Sequence, residues 1–141
     1  MCGIAGLFAY GARAPSIDRA ALSRMNDAMI ARGPDGEGIW FAGDERAGFG
    51  HRRLSIIDLS EGGAQPMQLD GGRLVITYNG EIYNFRELRA ELEIKGCRFQ
   101  SESDTEVLLH LYDRDGANMV DRLRGMFALA IHDRENHGVF L

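Results

Sequence analysis

From Gly3 to Tyr10 small and large apolar side chains alternate with few helix formers, the pattern of a buried strand, and Gly11 to Pro15 then supply a turn. Ser16 reads as a helix N-cap. Behind it Ile17, Ala21, Leu22, Met25, Ala28 and Met29 recur at helical spacing, with Asp18 in the first turn where the helix dipole favours a carboxylate. Arg32-Gly33-Pro34-Asp35-Gly36 ends that helix, and the glycine and proline density of residues 32–38 reads as a constrained turn. Ile39 to Phe41 and Ala47 to His51 form a second apolar pair joined by the polar turn Gly43 to Arg46, which predicts a hairpin, with Arg52 to Asp58 continuing its second strand or forming the exit from it. One of the adjacent Arg52 and Arg53 must face inward, and an inward guanidinium needs a carboxylate or an anionic ligand.

Leu74 to Tyr78 is β-branched and aromatic, the clearest strand in the chain. Asn79-Gly80 follows it and admits two readings. The pair is the strongest two-residue hairpin signal; equally, the Asn79 side chain and the Gly80 N–H are adjacent donors of the kind an oxyanion site uses. Asn84 with Glu87, and Ser103 with Glu106, have capping-box spacing before two amphipathic helices that end at Gly96 and Gly116. Asp104 then falls in a first helical turn, as a dipole-complementing carboxylate or as a ligand. Residues 117–124 predict a short helix with Met119, Val120 and Leu123 inward, and Met126 to Asp133 predict another strand before the chain stops within Val139 to Leu141.

At 141 residues, 45% hydrophobic and 26% charged, the chain has the size and balance of one globular domain. A net charge of -5 argues against nucleic acid as a partner. No apolar run reaches the length of a membrane span and no signal-peptide layout opens the chain, so a cytoplasmic protein with no membrane partner is expected. Cys2 and Cys97 lack CxxC spacing, and His51, His110, His132 and His137 lack metal-ligand spacing, so no metal site is expected.

Cys2 carries the most chemistry. With Met1 removed, its thiol and free α-amino group share one Cα, and an amine with a reference pKa of about 7.7–8.0 suits the task of accepting a thiol proton. Read alone, however, a Cys opening an apolar strand is a small buried side chain.

Seven stretches decide between these readings: MCGIAGLF at the start, RGPDGEG at 32–38, HRRLSIIDLS at 51–60, GAQPM at 63–67, YNGEIYNFREL at 78–88, SDTE at 103–106 and RGMFALAIHD at 124–133. In this order and spacing they resemble the class II glutamine amidotransferase domain at the N-terminus of glutamine-hydrolysing asparagine synthetases, across essentially all of residues 1–141. Ala31 departs from the histidine usual before Arg-Gly-Pro-Asp. The resemblance implies an α+β fold of the N-terminal nucleophile type, an αββα sandwich of two antiparallel sheets between helical layers, incomplete at its C-terminal side. It implies Cys2 as nucleophile with Asn79 and Gly80 as the oxyanion site. Arg53 would hold the substrate α-carboxylate, Glu81 and Asp104 its α-ammonium, and backbone around Leu54, Ile56 and Ile57 would line the pocket. The implied partners are glutamine and an ammonia-accepting domain or subunit. No cofactor is implied in this domain, since ATP and magnesium belong to a synthetase domain absent from the chain. Sheet edges left open by an early end would favour a homodimer. The alternative is a fragment that binds glutamine without turnover, or that serves only assembly.

Overall fold

The computed structural model describes residues 2–55 and 61–141. Two antiparallel sheets carry the architecture. In the first, β1 (Gly3–Phe8), β3 (Ala47–Arg53) and β2 (Gly36–Phe41) lie in the order β1-β3-β2, with Gly3 opposite Arg52 and Gly38 opposite His51. In the second, β4 (Met67–Leu69), β5 (Leu74–Ile82), β6 (Gly125–Asp133) and β7 (Gly138–Phe140) lie in sequence order. Helix α1 (Arg19–Asp27) packs on the first sheet. Helices α2 (Phe85–Ile94) and α3 (Asp104–Asp115) pack together, with α3 against β4 and β5 of the second sheet. Because β1 and β3 also lie against β5, the layers run helix, sheet, sheet, helices.

The period-2 alternation of β5 explains how one strand serves two interfaces. Leu74, Ile76 and Tyr78 face the helices and join Leu92, Leu108, Leu111, Met119 and Ile131 in the main core. Val75 faces the other way and meets Phe49 and Ala130 between the sheets, with Trp40 and Val139 packed beside them. Each of these large side chains stabilises the fold by roughly 1.5–3 kcal/mol relative to an exposed position.

Several local expectations are corrected. The cap of α1 is Asp18, whose carboxylate accepts from the Ala21 N–H at 3.0 Å, and the helix begins only at Arg19. A carboxylate at that position satisfies an orphan amide directly, so Ser16 is not needed. Residues 36–38 are already strand, so only the first part of RGPDGEG is a turn. Asn84 makes no side-chain cap; it donates to Arg122 O at 3.0 Å and accepts from Arg124 N at 3.0 Å, tying the start of α2 to the start of β6. Ser103 caps α3 through the Thr105 N–H, but Glu106 reaches back to Gln100 N, Ser101 N and Ser101 Oγ at 2.6–2.8 Å instead of to Ser103 N. Residues 116–122 form a 3-10 helix with Met119 buried and Val120 exposed. Among the described residues no helix is long and apolar enough to cross a membrane.

Candidate active site

Asn79-Gly80 is not a turn. Both residues lie inside β5, opposite Ala128 and Phe127 of β6, so the strand passes straight through the dipeptide. The hairpin tendency is local, whereas pairing with β6 extends over nine residues and overrides it. Glycine is required there by proximity: a Cβ on Gly80 would sit 2.4 Å from Met126 O and 2.6 Å from Phe127 Cα.

The start of β1 brings Cys2 beside the end of β3. The Leu54 N–H donates to Cys2 Sγ at 3.3 Å, and the thiol lies 3.6 Å from Leu54 O as a donor. A backbone N–H aimed at sulfur complements negative charge on it. The first part of RGPDGEG braces this segment. Asp35 N donates to Arg53 O at 3.0 Å and the Asp35 carboxylate accepts from Ser55 N at 2.9 Å. Ala31 lies exposed in the 3-10 turn Ile30–Arg32, outside the pocket lining.

The two arginines divide their work. Arg52 is the structural one, pairing with Asp27 at 2.6 Å and Glu37 at 2.7 Å and donating to Asn26 O. Arg53 lines a pocket of about 190 Å³ together with Cys2, Leu54, Asn79, Gly80, Glu81 and Asp104. Seven residues singled out in the sequence therefore meet at one place. Ile56 and Ile57 lie outside the described residues. The pocket is smaller than the roughly 300–1,000 Å³ typical of drug-sized ligand sites, and it carries both signs of charge, which suits a small zwitterion. A larger cavity of about 970 Å³ opens at the far end of β1, near Trp40 and His132, and contains none of these groups.

Asp104 is 4% exposed at the N-terminus of α3. Its Oδ2 accepts from Tyr78 Oη at 2.8 Å and from Ile82 N at 3.2 Å. Burial pushes its carboxyl above the usual range, and these donors oppose that shift only in part. Tyr78 is likewise held above the ordinary phenol range by burial and by the neighbouring Asp104, Glu81 and Cys2. Gln65 is a contributor that sequence reading missed, although it lies within the quoted GAQPM stretch. Its Oε1 accepts from Tyr78 N at 2.7 Å and its Nε2 donates to Thr105 Oγ1 at 3.3 Å, so one amide clips β5 to α3. Among the described residues no group of three or more His, Cys, Asp or Glu side chains is arranged to hold a metal ion.

The model of the glutamine amidotransferase domain matches residues 1–141. The chain belongs to this family. The amidotransferase domain is 45% identical over 141 residues to asparagine synthetase [glutamine-hydrolyzing] 1 of Bacillus subtilis, covering 99% of this chain and 22% of the relative. It is 42% identical over 135 residues to asparagine synthetase B of Escherichia coli, covering 96% of this chain and 24% of that protein. Among solved structures, glutamine phosphoribosylpyrophosphate amidotransferase of B. subtilis matches 63% of the chain and 21% of its own, with a TM-score of 0.54 and 30% identity. The amidotransferase domain thus has the α+β sandwich of these enzymes while spanning less than a quarter of these two curated relatives.

Proposed function

We propose that this domain hydrolyses glutamine to glutamate and ammonia, and that the ammonia feeds an ATP-dependent amidation such as asparagine synthesis. The observation that carries the reading is the convergence of Cys2, Asn79, Gly80, Arg53, Glu81 and Asp104 on one small pocket. With Met1 removed, the Cys2 α-amino group takes the thiol proton as Sγ attacks the side-chain amide carbon. The Asn79 amide and the Gly80 N–H receive the oxyanion of the tetrahedral adduct. The same amine returns the proton to the leaving nitrogen, the C–N bond breaks, and ammonia departs from a γ-glutamyl thioester. Water then adds to the thioester, its proton passing to the amine, and glutamate leaves as the thiol is restored. Arg53 pairs with the substrate α-carboxylate while Glu81 and Asp104 pair with its α-ammonium, so molecules lacking either group leave charge in the pocket unmatched. Leu54 forms the wall behind the nucleophile on this reading.

The half-reaction draws on no cofactor, and ATP and magnesium act in a separate synthetase region that accepts the ammonia. A cytoplasmic site of action belongs to the same reading. The edge strands of both sheets support self-association into a homodimer, which light scattering would register as twice the chain mass.

The deciding experiment is intact mass before and after exposure to a glutamine-mimicking electrophile, with the labelled peptide located. Loss of Met1 and one adduct on Cys2, blocked by excess glutamine, is expected. Retained Met1, or equal labelling of Cys97, which packs against the main core, overturns the catalytic assignment.

A further inference from the structure

We infer that Tyr78 is a positioning residue: through its hydroxyl it holds the Asp104 carboxylate ionised and aimed at the α-ammonium of the bound amino acid. The inference deepens the glutamine reading above and rests on it. Three observations carry it. Tyr78 is 3% exposed on β5 and donates its hydroxyl to Asp104 Oδ2 at 2.8 Å, across the boundary between sheet and helix. Its main chain is fixed as well, because the Tyr78 N–H is held by Gln65 Oε1 at 2.7 Å just beyond the end of the β4 pairing. The same strand then delivers Asn79, Gly80 and Glu81, so the phenol that orients one carboxylate is rigidly joined to the second carboxylate and to the oxyanion donors.

An ammonium is recognised only by the ionised form of Asp104, and burial works against that form. The titratable and charged groups facing this carboxylate in the pocket are Tyr78 and Glu81 on β5, Cys2 at the start of β1 and Arg53 at the end of β3. The phenol hydroxyl is the neutral side-chain donor that, beside the Ile82 N–H, stabilises the charged form without neutralising it. On α3 itself the neighbouring acid Glu106 is committed to Gln100 and Ser101.

The test is Tyr78→Phe in the otherwise unchanged protein, which keeps the ring and removes only the hydroxyl. We expect KM for glutamine to rise about ten-fold with kcat within about two-fold, the loss of one hydrogen bond to a charged group. The acid limb of the kcat/KM profile moves to higher pH, because Asp104 then protonates more readily. Glutaramate, which is glutamine without its α-amino group, serves as control: the concentration that half-protects Cys2 from the electrophile stays unchanged in the variant. A KM within two-fold of the parent and an unmoved acid limb overturn the inference, as does an equal weakening of glutaramate, which signals a general packing defect. Asp104→Asn separates the two levels. If it leaves glutamine protection of Cys2 intact, the ammonium reading itself fails; if it abolishes protection while Tyr78→Phe changes nothing, only the role of Tyr78 fails.

Discussion

Asn79 shows how much a single residue's meaning depends on its distant partners. In sequence it forms half of a turn signal, yet in the fold it stands in the body of β5 with its side chain on the strand face opposite Tyr78. If Asn79 is the oxyanion donor proposed above, its truncation acts on the transition state: Asn79→Ala is expected to lower kcat by about 10²–10³-fold while KM changes little, measured as ammonia release at saturating glutamine. A matching rise in KM with kcat preserved would instead assign Asn79 to ground-state binding. At this scale Cys2, Arg53 and Asp104 were legible because each is a charged or nucleophilic group inside a distinctive stretch. Gln65 and Tyr78 were not, since a loop glutamine and a strand tyrosine have ordinary structural explanations until Asp104 and Thr105 are seen beside them.

Among the elements, α3 shows why capping rules place a helix correctly yet misassign its bonds. Ser103 and Glu106 have the spacing of a capping box, and the helix does start at Asp104. Glu106, however, is 6% exposed and binds two backbone amides and one hydroxyl of the preceding loop, so it sets the path into α3. Glu106→Ala leaves those donors without their acceptor and is expected to cost about 3 kcal/mol, seen as a lower urea midpoint, with KM for glutamine rising because Asp104 loses its footing. A change below about 0.5 kcal/mol would mean that water replaces the carboxylate. The strands were legible from alternation and β-branching, and their ends were not: β2 starts at Gly36 because pairing with Arg53 extends it into a glycine-rich stretch that alone reads as turn. The same long-range logic moved the Asn84 side chain from its own helix to residues 122–124.

For the molecule as a whole, the two sheets meet across His51. This side chain is fully buried, shares Thr77 Oγ1 at 3.3 Å through Nδ1, and makes no hydrogen bond at Nε2 among the described residues. Burial and the nearby Arg53 lower its pKa to about 4. Between that value and the ordinary 6.5 the unfolded chain binds more protons than the folded one, so stability falls as pH drops through this window. The loss reaches about 3 kcal/mol near pH 4. Asp104, raised in the fold, contributes in the opposite direction, its stabilisation being lost as pH rises. Urea midpoints at pH 7 and pH 5 are expected to differ clearly in the parent protein and to converge in His51→Gln; an unchanged difference would place the sensitivity elsewhere. The mixture of apolar strands and amphipathic helices could be read from local pattern and the αββα sandwich came only with the family resemblance, whereas the stacking of β1 and β3 on β5 could not be read locally, because no local window contains both partners. The tight approach of Gly80 to β6 has a further consequence for assembly of the sandwich. Strands β5 and β6 are separated by two α-helices and a 3-10 helix, so no short turn sets their alignment. A slip of one residue would bring the Cβ of Asn79 or Glu81 to the place where Gly80 meets the β6 backbone, within 2.4 Å of Met126 O, so this close approach disfavours the misaligned pairing. The glycine that lines the Cys2 pocket therefore also favours the one register in which Asn79 and Glu81 reach that pocket.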